Sequence, residues 1–234
     1  MLAAAGCSTS GNTSTATSSP AEATTASTPA SPSASAALDG NTLYSLLLPA
    51  SAMPQGYRID SSGTRNSGQA LPQDTPQHMS ASQACNLLTG TSWIVASGIS
   101  SSDFAENDYL NASKTEEIAQ EIDYFQPGDA TKVMSRLWQA FGHCRSFTQQ
   151  SAGTTAKTSL IRTRLRRVGD GGLKAVELSP VFEGGTTLAA IRVGDVIVTC
   201  LDSSAGKDEG AAAVTLATRI ARRVRAAQQA SPAG

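Results

Sequence analysis

Thr187-Leu188-Ala189-Ala190-Ile191-Arg192-Val193-Gly194-Asp195-Val196-Ile197-Val198-Thr199-Cys200-Leu201 is two apolar, β-branched runs separated by one glycine and one aspartate. A Gly-Asp pair between such runs signals a two-residue hairpin, because glycine supplies the positive φ that the tight turn requires. The same pattern continues upstream. Leu160 to Val168 turns at Gly169-Asp170-Gly171-Gly172 into Leu173 to Val181, and Glu183-Gly184-Gly185 turns into the strand from Thr187. Strands joined by short glycine turns make an antiparallel meander.

Downstream, a loop through Gly206 precedes a helix expected from about Lys207 to Gln228. Val214, Ala217, Ile220, Ala221 and Val224 form its apolar stripe, with arginines on the other side. Upstream, Pro127-Gly128-Asp129 reads as a turn, with Asp129 as cap of a helix bearing Val133, Met134, Leu137, Trp138 and Phe141 at helical spacing. Phe104 to Asn111 and Glu117 to Phe125 are read as strands, with Ile118, Ile122 and Tyr124 on one face; the alternative for the second is a helix with Ile118, Ile122 and Phe125 on one face.

Ser92 to Ala96 is strand-like, and Ser80 caps a helix carrying Cys85, Leu87 and Leu88 that closes at Gly90. Gly56 to Gln77 reads as loop. Asp39 or Asn41 caps a short apolar helix that Pro49 ends. The fold class is therefore α+β: a mostly antiparallel sheet with helices packed on it, preceded by a disordered N-terminal tether.

That tether is residues 8–38, almost wholly Ser, Thr, Ala and Pro. It cannot bury enough apolar surface to offset the entropy of ordering it. Before it, Met1-Leu2-Ala3-Ala4-Ala5-Gly6-Cys7 reads as the end of a lipoprotein signal, with Cys7 as the acylated residue. A full leader needs a basic region and roughly 7–15 apolar residues, so more of it is expected upstream or already trimmed. The division is residues 1–7 as lipobox, 8–38 as tether, 39–228 as one domain and 229–234 as a disordered tail.

The chain has 234 residues and a net charge of −1, which is not the strongly basic balance of a dedicated nucleic-acid binder. No run approaches the ~18 apolar residues of a membrane-spanning helix, so the membrane is expected to be met through lipid. With Cys7 lipidated, Cys85, Cys144 and Cys200 form an odd set that allows one bridge and one spare thiol. Cys200 shares a strand face with Val196 and Val198, which suits a buried, inert thiol.

Cys85 on its early helix, the Tyr124-Phe125-Gln126-Pro127…Leu137-Trp138-Gln139-Ala140-Phe141-Gly142-His143-Cys144 block and the hairpin from Ala190 to Val198 together carry a resemblance. From Leu43 to Ala227 the chain resembles the PknH-like extracellular sensor domains and related actinobacterial lipoproteins. The resemblance implies an exported domain whose helices and sheet flank a ligand-binding cleft, and a Cys85–Cys144 bridge. Members of the kinase type carry two bridges. Here Cys200 has no obvious partner, so a second bridge is not implied.

Catalytic signatures are missing. No GxSxG, SxxK, HExxH or P-loop spacing occurs. His143 and Cys144 are helix neighbours whose side chains diverge by about 100°. The acidic group Glu116, Glu117, Glu121 and Asp123 is expected to be a solvated face. Asp103, Glu106 and Asp108 alternate like a calcium loop but lack its glycine and closing glutamate.

Arg162, Arg164, Arg166 and Arg167 follow one strand, and Arg219, Arg222, Arg223 and Arg225 the last helix. Of these, Arg162, Arg164, Arg166, Arg219, Arg222 and Arg223 would make one cationic surface for anionic lipid or glycan phosphate if the helix lay across the sheet. The plainer expectation for Arg162, Arg164 and Arg166 is an ordinary solvent face. Trp93, Tyr109 and Tyr124 are the expected ligand-binding aromatics, and Trp138 is expected in the core.

The functional expectation is a monomeric, lipid-anchored, extracytoplasmic envelope module. It binds a small molecule or an envelope glycan or lipid, with no catalysis, metal or cofactor. The alternative is a scaffold lipoprotein that docks a membrane protein or the cell wall through its arginine-rich face. A partly apolar cavity would favour the binder, and clustered carboxyls of perturbed pKa would favour an enzyme.

Overall fold

A computed structural model describes residues 38–68, 80–88, 93–151, 154–179, 185–204, 208 and 210–230. Cys7 and residues 8–37 lie outside them; Leu38, assigned to the tether, is buried in the core and belongs to the domain. Contacts divide the chain into Met1–Ser33 and Ala34–Gly234, and all described residues belong to the second unit.

The centre is an eight-stranded sheet in which every neighbouring pair is antiparallel. Its strands are β1 (Arg58–Asn66), β2 (Asp103–Leu110), β3 (Glu117–Tyr124), β4 (Ser146–Ser151), β5 (Thr154–Leu165), β6 (Gly172–Leu178), β7 (Thr186–Val193) and β8 (Val196–Asp202). They run in the order β1-β2-β3-β8-β7-β6-β5-β4. Two meanders thus meet at the β3–β8 pairing, where Ile122 lies opposite Val198. Val193 pairs with Val196 across Gly194, whose φ is +61°.

Among the described residues four α-helices pack on the sheet: α1 (Gly40–Leu46), α2 (Ala81–Leu87), α3 (Asp129–His143) and α4 (Ala211–Ala230). Asp39 caps α1 by accepting from Thr42 N. Ser80 caps α2 in a reciprocal box with Gln83. The cap of α3 is Gly128, not Asp129; Asp129 sits in the first turn and pairs with Lys132 at 2.7 Å. The last helix begins at Ala211 and reaches Ala230, so Gln229 and Ala230 belong to it and not to the expected tail.

Each face of the sheet has its own core. On one, Leu216, Ala217, Ile220 and Val224 of α4 and Leu43 of α1 cover Ile118, Ile122, Ile191, Val198 and Cys200. On the other, Val133, Leu137 and Phe141 of α3 pack with Trp93, Phe125, Leu173, Leu188 and Ile197. A Cys85–Cys144 disulfide joins α2 to the residue after α3 across a sequence separation of 59. Cys200 is free and buried.

Two stretches differ from expectation. Residues 58–66, read as loop, form β1. Its sequence has no apolar alternation and its side chains are mostly exposed, so pairing with β2 builds it. Such a polar strand suits a sheet edge, where apolar surface would recruit other chains. The polar β4 at the opposite edge is of the same kind. Of the stretch Ser92 to Ala96, read as strand-like, the residues from Trp93 on lie in a 3-10 turn, Trp93–Ser97. Short apolar runs do not reveal their conformation by periodicity, and here Trp93 and Ile94 face α3 instead of a sheet neighbour.

Candidate functional site

β2 and β3 alternate apolar and polar residues, and both faces are buried. Ala105 and Tyr109 of β2 and Ile118 and Ile122 of β3 face α1 and α4. The register places Glu106 opposite Glu121, Asp108 opposite Ala119 and Phe104 opposite Asp123, all directed to the other face. Asp60 lies across from Asp108, and Arg65 across from Glu106. The hairpin thus collects Glu106, Asp108, Glu117, Glu121 and Asp123 on one side, and Asp103 falls on the other.

These carboxyls are not solvated. Glu106 is 1% exposed, Asp108 5%, Glu121 8% and Asp123 3%, which overturns the expectation of a solvated face for Glu121 and Asp123. Arg65 Nε donates to Glu106 Oε2 at 2.6 Å and supplies a cation. Asp123 accepts from Ser101. Asp108 Oδ1, Glu121 Oε2 and Asp123 Oδ2 are buried and have no hydrogen-bond partner among the described residues. Glu116, by contrast, sits at the hairpin end and accepts from the Tyr57 hydroxyl at 3.0 Å.

An ionised carboxylate deprived of water and of a partner is costly, and proton uptake relieves that cost. Burial, reinforced by the negative charges of Glu106 and Glu117, pushes Asp108 up to about 8. Burial first, and then Asp123 and Glu106, raises Glu121 well above the usual carboxylate range. Burial and Glu106 bring Asp123 up to about 7, against the lowering effect of the Ser101 hydrogen bond. Glu117 is shifted upward for the same reasons. At neutral pH these shifts favour the protonated form of Asp108.

Gly63 borders the site. A side-chain carbon on Gly63 would overlap the Asp108 carboxyl and lie 2.8 Å from Asp108 Cβ. The β1 backbone therefore passes directly over Asp108, at the register shift between Asp60 and Arg65.

The aromatics expected to bind ligand do not gather here. Trp93 is buried beside Phe141, ring centres 5.8 Å apart. Tyr109 is buried on the opposite face and donates to the Leu48 carbonyl at 2.8 Å. Tyr124 is half-buried against that same core. Trp93 and Tyr109 fill the two cores. Trp138, expected in the core, is only half-buried, with Arg162 and Arg164 over its ring at 4.1 and 4.3 Å.

The arginines do not form one surface. Arg162 pairs in register with Ala175, placing it on the α3 face. Arg219, Arg222 and Arg223 belong to α4, on the other face of the sheet. The sheet stands between the groups, and Ile161, not Arg162, is the exposed neighbour. Asp103, Glu106 and Asp108 sit on a strand, and no three described His, Cys, Asp or Glu converge to hold a metal ion.

Sequence reading overlooked Glu106 and Asp108 as members of a set with Glu121 and Asp123. The available signal was period-two acids on two successive strands, which a hairpin brings face to face. Their burial depends on what packs above the sheet.

The architecture is an antiparallel sheet with a helix layer on each face and a set of buried carboxyls at its β1–β3 end. No family model matches the chain, and no curated protein matches it. Among solved structures it is similar to the crystal structure of the extracellular domain of PknH from Mycobacterium tuberculosis. The TM-score is 0.55 at 13% identity, over 80% of this chain and 96% of that chain. The likeness shows a PknH-like fold.

Proposed function

We propose that this chain is an exported, lipid-anchored binding module of the bacterial envelope, and that it binds a cationic small molecule or envelope component on the carboxyl face of β1–β3 without transforming it. The observation that carries the reading is the set of buried, unpartnered oxygens on Asp108, Glu121 and Asp123. A protonated amine or guanidinium would supply the missing donors and charge, and a charge-assisted hydrogen bond is about twice as strong as a neutral one. The fold's likeness to an extracellular domain, the Gly6-Cys7 motif and the Ser/Thr-rich tether support the location.

Calorimetric titration of the full chain with spermidine and with arginine, in buffers of differing ionisation enthalpy, tests the site. Binding should release protons and should weaken at least tenfold in Glu121→Gln. Titrations without heat, or an unchanged affinity in that variant, would count against it. Intact mass of the membrane-extracted chain tests the anchor separately, since acylation adds mass at residue 7.

The same shifted carboxyls favour a second reading, acid–base hydrolysis. Such chemistry needs a protonated acid beside an ionised base. Here Asp108, Glu117, Glu121 and Asp123 all move upward, and Glu106 is engaged by Arg65, so binding is the better-supported reading. Turnover of envelope glycans that Asp108→Asn abolishes would reverse that preference.

A further inference from the structure

On the opposite face of the sheet, the segment that follows α1 meets α4 in an open groove of about 420 Å³. Arg219, Arg222 and Arg223 form one wall, and Leu48, Pro49 and Ala52 form the other with Ser51 at the rim. The three guanidinium groups originate within about one helical turn, a span of ~5.4 Å along the axis.

Their roles differ. Arg223 donates to the carbonyls of Leu47 at 2.7 Å and Ser45 at 2.8 Å, which ties α4 to the end of α1. Arg219 and Arg222 are exposed and have no hydrogen-bond or ion-pair partner among the described residues. Arg225 of the same helix is held by Asp170 at 2.5 Å, so pairing is available on α4 and these two arginines lack it. Among the described residues, no carboxylate borders the groove. Like charges one turn apart disfavour a helix by a few tenths of a kcal/mol, a cost that an anion between them would relieve.

Position selects the anion. Leu38, the first described residue, is buried in the same core as Leu47 and Leu48. The chain therefore enters the domain just before α1, and the segment that leaves α1 lines the groove. An apolar wall beside a cationic one suits a molecule that is anionic at its head and apolar below it. We propose that this groove binds the phosphate of an anionic phospholipid headgroup, with Pro49 and Ala52 facing the upper acyl region. The site goes beyond the carboxyl face and uses the proposed anchor only in preferring lipid over other phosphates. A tethered domain with a second, weak membrane contact gains through effective concentration.

The test uses the full chain with Cys7→Ser, so that no acyl group contributes, in sedimentation with phosphatidylcholine vesicles with or without phosphatidylglycerol. The expected result is binding only to the anionic vesicles. It should weaken about 30-fold in the Arg219→Gln/Arg222→Gln double variant, from roughly 1 kcal/mol per basic residue at a charged surface. Arg166→Gln, an exposed arginine away from the groove, should change binding less than about twofold. Unchanged thermal melting of both variants confirms folding.

Absence of binding to either vesicle, full binding by the double variant, or an equal loss in Arg166→Gln would overturn the proposal. Displacement from vesicles by inorganic phosphate at equal phosphate concentration would also overturn it, in favour of a free phosphate ligand. None of these outcomes bears on whether residue 7 is acylated.

Discussion

The guanidinium carbon of Arg162 stands 4.1 Å from the centre of the Trp138 ring and its Nη1 donates to the Trp138 carbonyl, so a β5 side chain clamps a residue of α3. A cation over an indole face contributes about 0.5–2 kcal/mol depending on desolvation, and a hydrogen bond from a charged donor adds to it. Arg162→Gln should lower unfolding free energy by about 2 kcal/mol in urea melts. Arg164→Gln, which makes only the ring contact at 4.3 Å, should cost under about 1 kcal/mol. Equal effects would show that the carbonyl contact adds nothing.

The Cys85–Cys144 bridge closes a loop with a sequence separation of 59. On the chain-entropy account this contributes ~4 kcal/mol. The Cys85→Ser/Cys144→Ser pair, made in a Cys7→Ser background, should shift the urea midpoint down accordingly. Native labelling of that background with a thiol reagent should find nothing. Cys200 is buried and its thiol is pushed well above the usual range, by burial and then by Asp202. Rapid labelling of the folded chain would contradict the burial.

Gly63→Ala should destabilise the chain by about 1–3 kcal/mol, the usual range for overpacking. The added carbon meets Asp108 Cβ as well as the flexible carboxyl tip. In a double-mutant cycle, Asp108→Gly should recover most of that loss. Additive effects would place the strain in the β1 backbone instead.

Stability should fall as pH rises from about 4 to about 8. Unfolded aspartate titrates near 3.9, while folded Asp108 reaches about 8 and Asp123 about 7. Between those limits the folded state binds more protons than the unfolded one, so each proton it holds in excess lowers stability by about 1.4 kcal/mol for every unit by which pH rises. The contribution is complete below the unfolded value and is lost on passing through the folded one. Asp108→Asn should therefore stabilise the chain more at pH 8 than at pH 5. Glu106, Glu117, Asp60 and Arg65 face the same group and stay in place. Urea midpoints that differ equally at both pH values would refute the assignment.

Much of the architecture was legible before any coordinates, and for identifiable reasons. Gly194-Asp195 names its own hairpin, and the apolar spacing of α3 and α4 can be satisfied only by burying one side. Residues 58–66 were illegible because a polar edge strand takes its conformation from the neighbour that pairs with it. Arg162 misled through alternation alone. Period two says that Arg162 and Ile161 lie on opposite faces but not which of them meets a helix, and the exposed one is Ile161.

By itself the sequence determined the class of fold and the residues that share a face on each strand, because these depend on local spacing and composition. Only the tertiary structure decided that Glu106, Asp108, Glu121 and Asp123 lose their water while Arg219 and Arg222 keep theirs. Solvation is set by what packs on each face of a sheet buried on both sides, and no stretch of chain carries that information alone.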